Sequence, residues 1–175
     1  MAIIEPTLDD AAVMEFVATG FVLLEGVIDE SFNAPCDQMA GGNIDAFVGD
    51  DAFTKTVLLH PKIAGAARSL LGEDFLVPAG GHHHPYEAPH LGQTWHSDGL
   101  SGLGYDVTEL QCYYYPQSVE IEDGPTMILP GSHCRAVDRE AIAHYGDIRG
   151  QVSLTVPAGT VAMTRYGIWH KAGPK

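Results

Sequence analysis

Short runs of strand-forming residues, separated by glycine and proline, occupy most of the chain after residue 107. Turn sequences such as Pro130-Gly131 divide one run from the next. Neighbouring short strands of this kind pair into sheets that bury one face, so the pattern predicts a β-sandwich or jelly roll. The expected strands are residues 108–115, Thr126–Leu129, 152–156 and 161–170. In the first of them, alternation is expected to place one set of side chains on one face (Gln111, Tyr113 and Tyr115) and a second set on the other (Leu110, Cys112 and Tyr114).

The N-terminal part of the chain has a helical pattern. Residues 7–19 open with Thr7 and two acids, continue with helically spaced apolar residues and stop at Gly20, which predicts a capped helix. A second helix is expected after Asp29 and a third over Pro61–Leu71. The fold class is therefore mainly β with N-terminal helices. Further strands are expected at Phe21–Leu24 and 75–77, and a helical insertion within 135–145.

Composition narrows the choice of partners. A net charge of −14 argues against nucleic acid and anionic membrane surfaces. The sequence shows neither the apolar run of a membrane span nor a signal-peptide pattern. Cys36, Cys112 and Cys134 lack paired spacing, which predicts free thiols, a reducing compartment and a cytoplasmic location. The 175 residues are expected to form one domain.

An imidazole and a carboxylate lie two residues apart at His96 and Asp98. Alternate residues of an extended backbone point to the same side, so these two groups can converge. They are two parts of the two-histidine, one-carboxylate set that binds Fe(II), and the third part must be a distant histidine. His170 ends a late strand-like run and is the candidate, although a His-x-Asp tripeptide alone more often belongs to a loop.

Three blocks of sequence resemble the phytanoyl-CoA dioxygenase family: QTWHSD at 93–98, DGPTMILPGSH at 123–133, and the stretch from GTV at 159–161 to WHKAGP at 169–174. The resemblance extends to the helical N-terminal part. It implies a double-stranded β-helix (jelly roll, cupin-like), with Fe(II) and 2-oxoglutarate as cofactors. It also implies His96, Asp98 and His170 as iron ligands. The implied reaction is oxidation of a small organic substrate, most often hydroxylation, with release of succinate and CO2.

The retained carboxylate of Asp98 bears on the type of reaction. Related halogenases have a small residue at this position, which leaves room for a halide. A carboxylate here favours hydroxylation or another oxidation over halogenation.

The sequence departs from the family at the co-substrate site. The family binds the far carboxylate of 2-oxoglutarate with an arginine that follows the second histidine, and this chain ends at Lys175 without one. A serine common in the family is Ala172 here. Two explanations are open: residues 1–175 lack a C-terminal strand, which is the expectation, or Arg165 or Lys171 replaces the arginine. Arg165 would alternate away from His170 on one regular strand.

Several other residues have both a functional and a structural interpretation. Tyr113 corresponds to an aromatic residue beside 2-oxoglutarate in the family, or is a core tyrosine. Gln93 and Thr126 are candidates for binding the co-substrate, or for turn and strand hydrogen bonds. Trp95 and Trp169 each precede a ligand histidine, so on a strand they would point into the core.

The sequence gives less support for a functional role of the remaining polar residues. The run His82, His83 and His84 either lines the mouth of the pocket or is a solvated stretch. His133 is expected to bond the backbone, and Arg135 either pairs with an acidic substrate or lies on the surface. Two rival functions remain: a metal-binding jelly roll without 2-oxoglutarate turnover, and a cupin-type enzyme that uses O2 without a co-substrate.

Overall fold

The computed structural model describes residues 4–39, 51–77, 81, 86–99, 106–136 and 138–175. Its helices are α1 (Asp10–Thr19), α2 (Glu30–Met39), α3 (Pro61–Leu71) and α4 (Arg139–Ile142), with a short helical segment at Asp51–Phe53 that continues into a π-helical turn at Thr54–Leu58. Its strands are β1 (Phe21–Leu24), β2 (Leu110–Tyr115), β3 (Thr126–Leu129), β4 (Val152–Ser153), β5 (Thr160–Arg165) and β6 (Trp169–Ala172).

The described strands form two antiparallel sheets of three strands each. The first sheet has the order β1-β5-β2, and the second has the order β4-β3-β6. The sheets bury an apolar cluster around Ile128, Ala162 and Ile168. This arrangement confirms the predicted jelly-roll class with N-terminal helices.

The helices cover the outer face of the first sheet. Val161 and Met163 of β5 pack there with Ile63 of α3 and with the π-helical turn. Helix α1 begins after Asp9, whose carboxylate accepts a hydrogen bond from the Ala12 amide at 2.8 Å. It ends at Gly20, where φ is 85° and a side chain would be strained.

The start of α1 differs from the sequence expectation. Thr7 was expected to open the helix, but it lies outside it and its hydroxyl donates to the Lys62 carbonyl at 3.0 Å. Its backbone amide donates to the Ser69 hydroxyl at 3.1 Å. The segment before α1 is therefore tied to α3, a contact that local sequence does not encode.

Residues 161–170 do not form one strand, and this prediction was wrong. The chain leaves the first sheet after Arg165, turns at 166–168 with the Ile168 amide bonded to the Arg165 carbonyl at 3.0 Å, and enters the second sheet at Trp169. A continuous strand would have kept His170 in the first sheet. Apolar content alone does not reveal such a turn, because the apolar run continues through it: Ile168 is buried, although Tyr166 is 37% exposed.

Three other predicted elements also differ from the structure. The strand predicted at 75–77 is absent and Leu76 is 90% exposed, since no described strand pairs with it. The run 152–156 is a strand only at Val152–Ser153, while Val156 forms an isolated bridge with Val119. The insertion expected within 135–145 is reduced to α4.

Three further features bear on the sequence expectations. His82, His83 and His84 lie outside the described residues. The three cysteines are free, as predicted. Among the described residues, no helix is both long and apolar enough to cross a bilayer.

Candidate metal centre

The segment before Asp98 runs beside β6 and brings the distant histidine to the His-x-Asp motif. His96 and His170 form an isolated antiparallel bridge, with reciprocal backbone hydrogen bonds of 3.0 and 2.8 Å. Gln93 extends this pairing, because its amide bonds the Ala172 carbonyl at 3.0 Å. Main-chain pairing therefore sets the position of both imidazoles.

The three side chains converge as the sequence predicted. One ligand atom from each of His96, Asp98 and His170 lies within 4.8 Å of the others. The Asp98 carboxylate oxygens lie 4.0 Å from His96 Nε2 and 3.5 Å from His170 Nε2. Exposure of the side chains falls from 37% for Asp98 to 20% for His96 and 7% for His170, so the cluster opens on one side only.

Both imidazoles are oriented for metal binding. His96 Nδ1 lies 2.9 Å from the Thr94 carbonyl oxygen, and His170 Nδ1 lies 3.1 Å from the Ile168 carbonyl oxygen. A carbonyl only accepts hydrogen bonds, so in each neutral ring the proton is on Nδ1 and the lone pair is on Nε2. Two Nε2 lone pairs and one carboxylate form the donor set that suits Fe(II), and the residues fit the metal.

Sequence reasoning missed one residue of this centre. Gln111 on β2 donates from Nε2 to Asp98 Oδ2 at 2.6 Å. Its position on the inner face with Tyr113 was visible in the strand alternation, but the contact joins two segments whose pairing the sequence does not show.

Buried polar atoms that lack a well-formed hydrogen bond lie on the inner face of β2 and β5, on the side of His170. Among the described residues, Gln111 Oε1 and the hydroxyls of Tyr113, Tyr115 and Thr164 are buried and lack a well-formed hydrogen bond. The Tyr113 ring meets the His170 ring edge-on, with centroids 6.0 Å apart. Buried polar groups are almost always paired in proteins. The inner wall formed by Gln111, Tyr113, Tyr115 and Thr164 is therefore suited to a polar ligand.

The two phenols of this wall stay neutral. Burial raises the pKa of Tyr115 to about 12, although the nearby hydroxyl of Thr126 has the opposite, smaller effect. Burial raises the pKa of Tyr113 as well, with the charges of Tyr115 and Asp98 adding to the effect. The hydroxyl of Thr164 lies beside that of Tyr113 and has the opposite, smaller effect. Both phenols are therefore hydrogen-bond donors to whatever enters the space.

The other two predicted co-substrate residues have structural contacts. Gln93 Oε1 accepts a hydrogen bond from the Ala172 amide at 2.9 Å, so this side-chain oxygen is already bonded to the backbone of β6. Thr126 begins β3, pairs with Ala172 in the register and lies near Tyr115. Of the three candidates, Tyr113 is the one whose polar atom is buried and has no well-formed hydrogen bond to a described residue.

Lys171 and Arg165 do not face the inner wall. Lys171 is buried on the outer face of β6, where its ammonium donates to the Gly146 carbonyl and lies 5.1 Å from the centroid of the Trp95 ring. Arg165 alternates with Thr164 on β5 and lies opposite Leu110. Trp95 and Trp169 pack together with Met127 on that outer side, as predicted.

The Pro-Gly-Ser-His block supports the centre from behind. The Ser132 hydroxyl accepts the Trp169 amide at 2.8 Å, directly before the ligand histidine. His133 Nε2 lies 3.1 Å from the Val17 carbonyl oxygen, which connects this turn to α1. His133 therefore has the backbone role that the sequence indicated. Arg135 is exposed.

A jelly roll that brings two histidines and one aspartate together in this way is typical of non-haem iron oxygenases. The family model of phytanoyl-CoA dioxygenase (PhyH) matches residues 16–175. The chain belongs to the phytanoyl-CoA dioxygenase family. No curated protein matches the sequence.

Solved structures agree with this fold. EctD from S. alaskensis in its apoform aligns with a TM-score of 0.65 and 19% identity, over 100% of this chain and 76% of EctD. HygX from Streptomyces hygroscopicus, with nickel and 2-oxoglutarate bound, aligns with a TM-score of 0.68 and 16% identity, over 97% of this chain and 81% of HygX. SnoK, a non-haem α-ketoglutarate-dependent carbocyclase from nogalamycin biosynthesis, aligns with a TM-score of 0.64 and 19% identity, over 97% of this chain and 81% of SnoK.

Proposed function

We propose that the protein is an Fe(II)- and 2-oxoglutarate-dependent oxygenase that hydroxylates a small organic molecule. The observation that carries the proposal is the convergence of His96, Asp98 and His170 within 4.8 Å. The family supports it, as do neighbours of this fold crystallised with iron, as EctD was, or with nickel and 2-oxoglutarate, as HygX was.

The residues around the centre would have two separate roles, holding the iron and binding 2-oxoglutarate. His96, Asp98 and His170 would hold the iron on one face and leave the opposite face open. The bound iron and 2-oxoglutarate supply the oxidising chemistry, in which the co-substrate becomes succinate and CO2. Tyr113 and Thr164 would donate hydrogen bonds to a carboxylate of 2-oxoglutarate, which satisfies hydroxyls that otherwise have no well-formed partner.

Hydroxylation is the reaction we assign within this class. Neighbours of the same fold include a carbocyclase and an epimerase, so the fold does not decide among oxidations. Asp98 bears on halogenation, because its carboxylate fills the position that a halide would need. The enclosed side of the centre, where His170 is 7% exposed, would keep water from the bound co-substrate.

The test is formation of succinate from 2-oxoglutarate by the purified protein with added Fe(II). We expect metal-dependent turnover that falls to the metal-free background in His96→Ala and Asp98→Ala. His144→Ala is the matched control, since this exposed histidine lies outside the centre. Full turnover in the ligand variants would refute the site.

Two other outcomes identify the rivals. Metal binding in calorimetry without 2-oxoglutarate binding would indicate a metal-binding module without turnover. Consumption of O2 with a substrate but without succinate would indicate a cupin-type enzyme that needs no co-substrate.

A further inference from the structure

Gln111 makes the closest polar contact to the aspartate of the metal centre. Its Nε2 donates to Asp98 Oδ2 at 2.6 Å, across 13 residues of sequence. A carboxylate that binds a metal is ionised and can only accept, so the amide nitrogen, and not the amide oxygen, must face Asp98. The orientation of the Gln111 amide is thereby determined by chemistry.

The strand pairing holds Gln111 in place. Gln111 lies near the start of the register between β2 and β5, opposite Thr164. Asp98, by contrast, lies in a bend after the bridge at His96 and is 37% exposed. The glutamine is therefore the partner that the sheet positions, and the metal ligand lies outside regular secondary structure.

We infer that Gln111 is a positioning residue that fixes Asp98 as a ligand through one oxygen. This inference rests on the proposed iron site. The amide occupies one carboxylate oxygen and leaves the other for the metal. A carboxylate without this hydrogen bond can rotate and bind through both oxygens, which would use one of the positions that O2 and 2-oxoglutarate need.

The test compares metal binding by the wild type and by Gln111→Met, which keeps the length of the side chain but cannot donate. Co(II) is the probe, because its affinity is measured by calorimetry and its visible absorption reports the number of ligands. We expect the affinity to fall by about 10- to 100-fold, the usual effect of removing a hydrogen bond to a metal ligand. We also expect the Co(II) absorption band to change. Gln117→Met is the matched control on an exposed glutamine.

A double variant separates positioning from packing. In the Asp98→Ala background the hydrogen bond has no acceptor, so Gln111→Met should have no further effect on Co(II) affinity. An equal loss in both backgrounds, or wild-type affinity and absorption in the single variant, would overturn the inference. If the methionine variant does not fold, Gln111→Asn carries the same expectation, because its amide is one methylene too short.

The outcome is distinct from failure of the proposed function. A wild type that binds Co(II) without dependence on His96 and His170 removes the iron site itself. A wild type that binds through them while Gln111→Met is unchanged removes only the inference.

Discussion

Two adjacent tyrosines on β2 show how differently the two faces of the first sheet are used. Tyr114 points to the helices, and its hydroxyl donates to Asn33 Oδ1 at 2.6 Å. Tyr113 points between the sheets, and its hydroxyl is buried without a well-formed hydrogen bond to a described residue. One hydroxyl is part of the structure, and the other is the one that we propose binds 2-oxoglutarate.

The same contrast runs along the neighbouring strand. On the outer face of β5, Val161 and Met163 are each 1% exposed and join the helical core. On the inner face, Thr164 is fully buried and its hydroxyl lacks a well-formed hydrogen bond to a described residue. Burial of a polar group costs free energy unless it is paired, so Thr164 lowers stability where Val161 and Met163 raise it. The difference fits our proposal, in which the helical layer stabilises the domain and the inner face binds the co-substrate.

The largest expected effect is a loss of stability caused by a substitution on the outer face of β5. Met163→Ala should lower the free energy of unfolding by about 2–5 kcal/mol, because it opens a cavity among tightly packed residues. Denaturant unfolding measures the loss. Co(II) affinity of the folded variant should stay at the wild-type value, since Met163 faces away from the metal centre. A weaker Co(II) affinity in the folded state would contradict the division of the two faces.

A smaller effect is expected from the tyrosine pair. Tyr113→Phe should weaken 2-oxoglutarate binding to the metal-loaded protein by roughly three- to tenfold while leaving stability unchanged or improved, since it removes an unpaired buried hydroxyl. Tyr114→Phe is the control with the same chemical change. It should lose about 1 kcal/mol of stability with its bond to Asn33, at wild-type 2-oxoglutarate affinity. Calorimetry and thermal unfolding distinguish the two, and the reverse assignment would refute the comparison.

The smallest effect concerns a histidine that serves structure rather than metal. Burial lowers the pKa of His133 below its ordinary value of 6.5, with Arg165 adding to this effect, although the bond to the Val17 carbonyl opposes it. The unfolded chain then binds more protons than the folded chain as the pH drops below that value, so the folded protein loses stability in that range. Above it the effect vanishes.

His133→Gln removes this pH dependence while keeping a donor for Val17. We expect the variant to lose less stability than the wild type between about pH 7.5 and 5.5 in denaturant titrations. Parallel pH profiles for the two proteins would show that protonation of His133 is not coupled to folding.

Much of the site followed from local pattern together with the resemblance. The spacing of His96 and Asp98 indicated two converging ligands, and the late strand run indicated His170. The strand alternation placed Tyr113 and Tyr115 on one face and Leu110 and Tyr114 on the other, as the two core clusters show. These features depend on the period of an extended backbone, which is a property of adjacent residues.

The starts of α2 and α3 and the free thiols were also within reach of the sequence, because caps and cysteine spacing are local signals, whereas the start of α1 was not, because Thr7 is bonded to α3. The break at 166–168 was not, since the apolar run continues through the turn, where Ile168 is buried although Tyr166 is 37% exposed. Strand assignment at 75–77 failed for a related reason: a strand needs a partner, and an apolar triplet does not specify one.

The sequence by itself determined the class of fold, the three candidate ligands and the alternation of each strand. Tertiary structure alone decided that His170 belongs to the second sheet, that Lys171 points outward to Trp95, and that Gln111 reaches Asp98. The physical reason is the range of the interactions. Alternation and capping act between near neighbours, whereas the bond from Gln111 to Asp98 exists only after two separate segments have been brought together by the sheets.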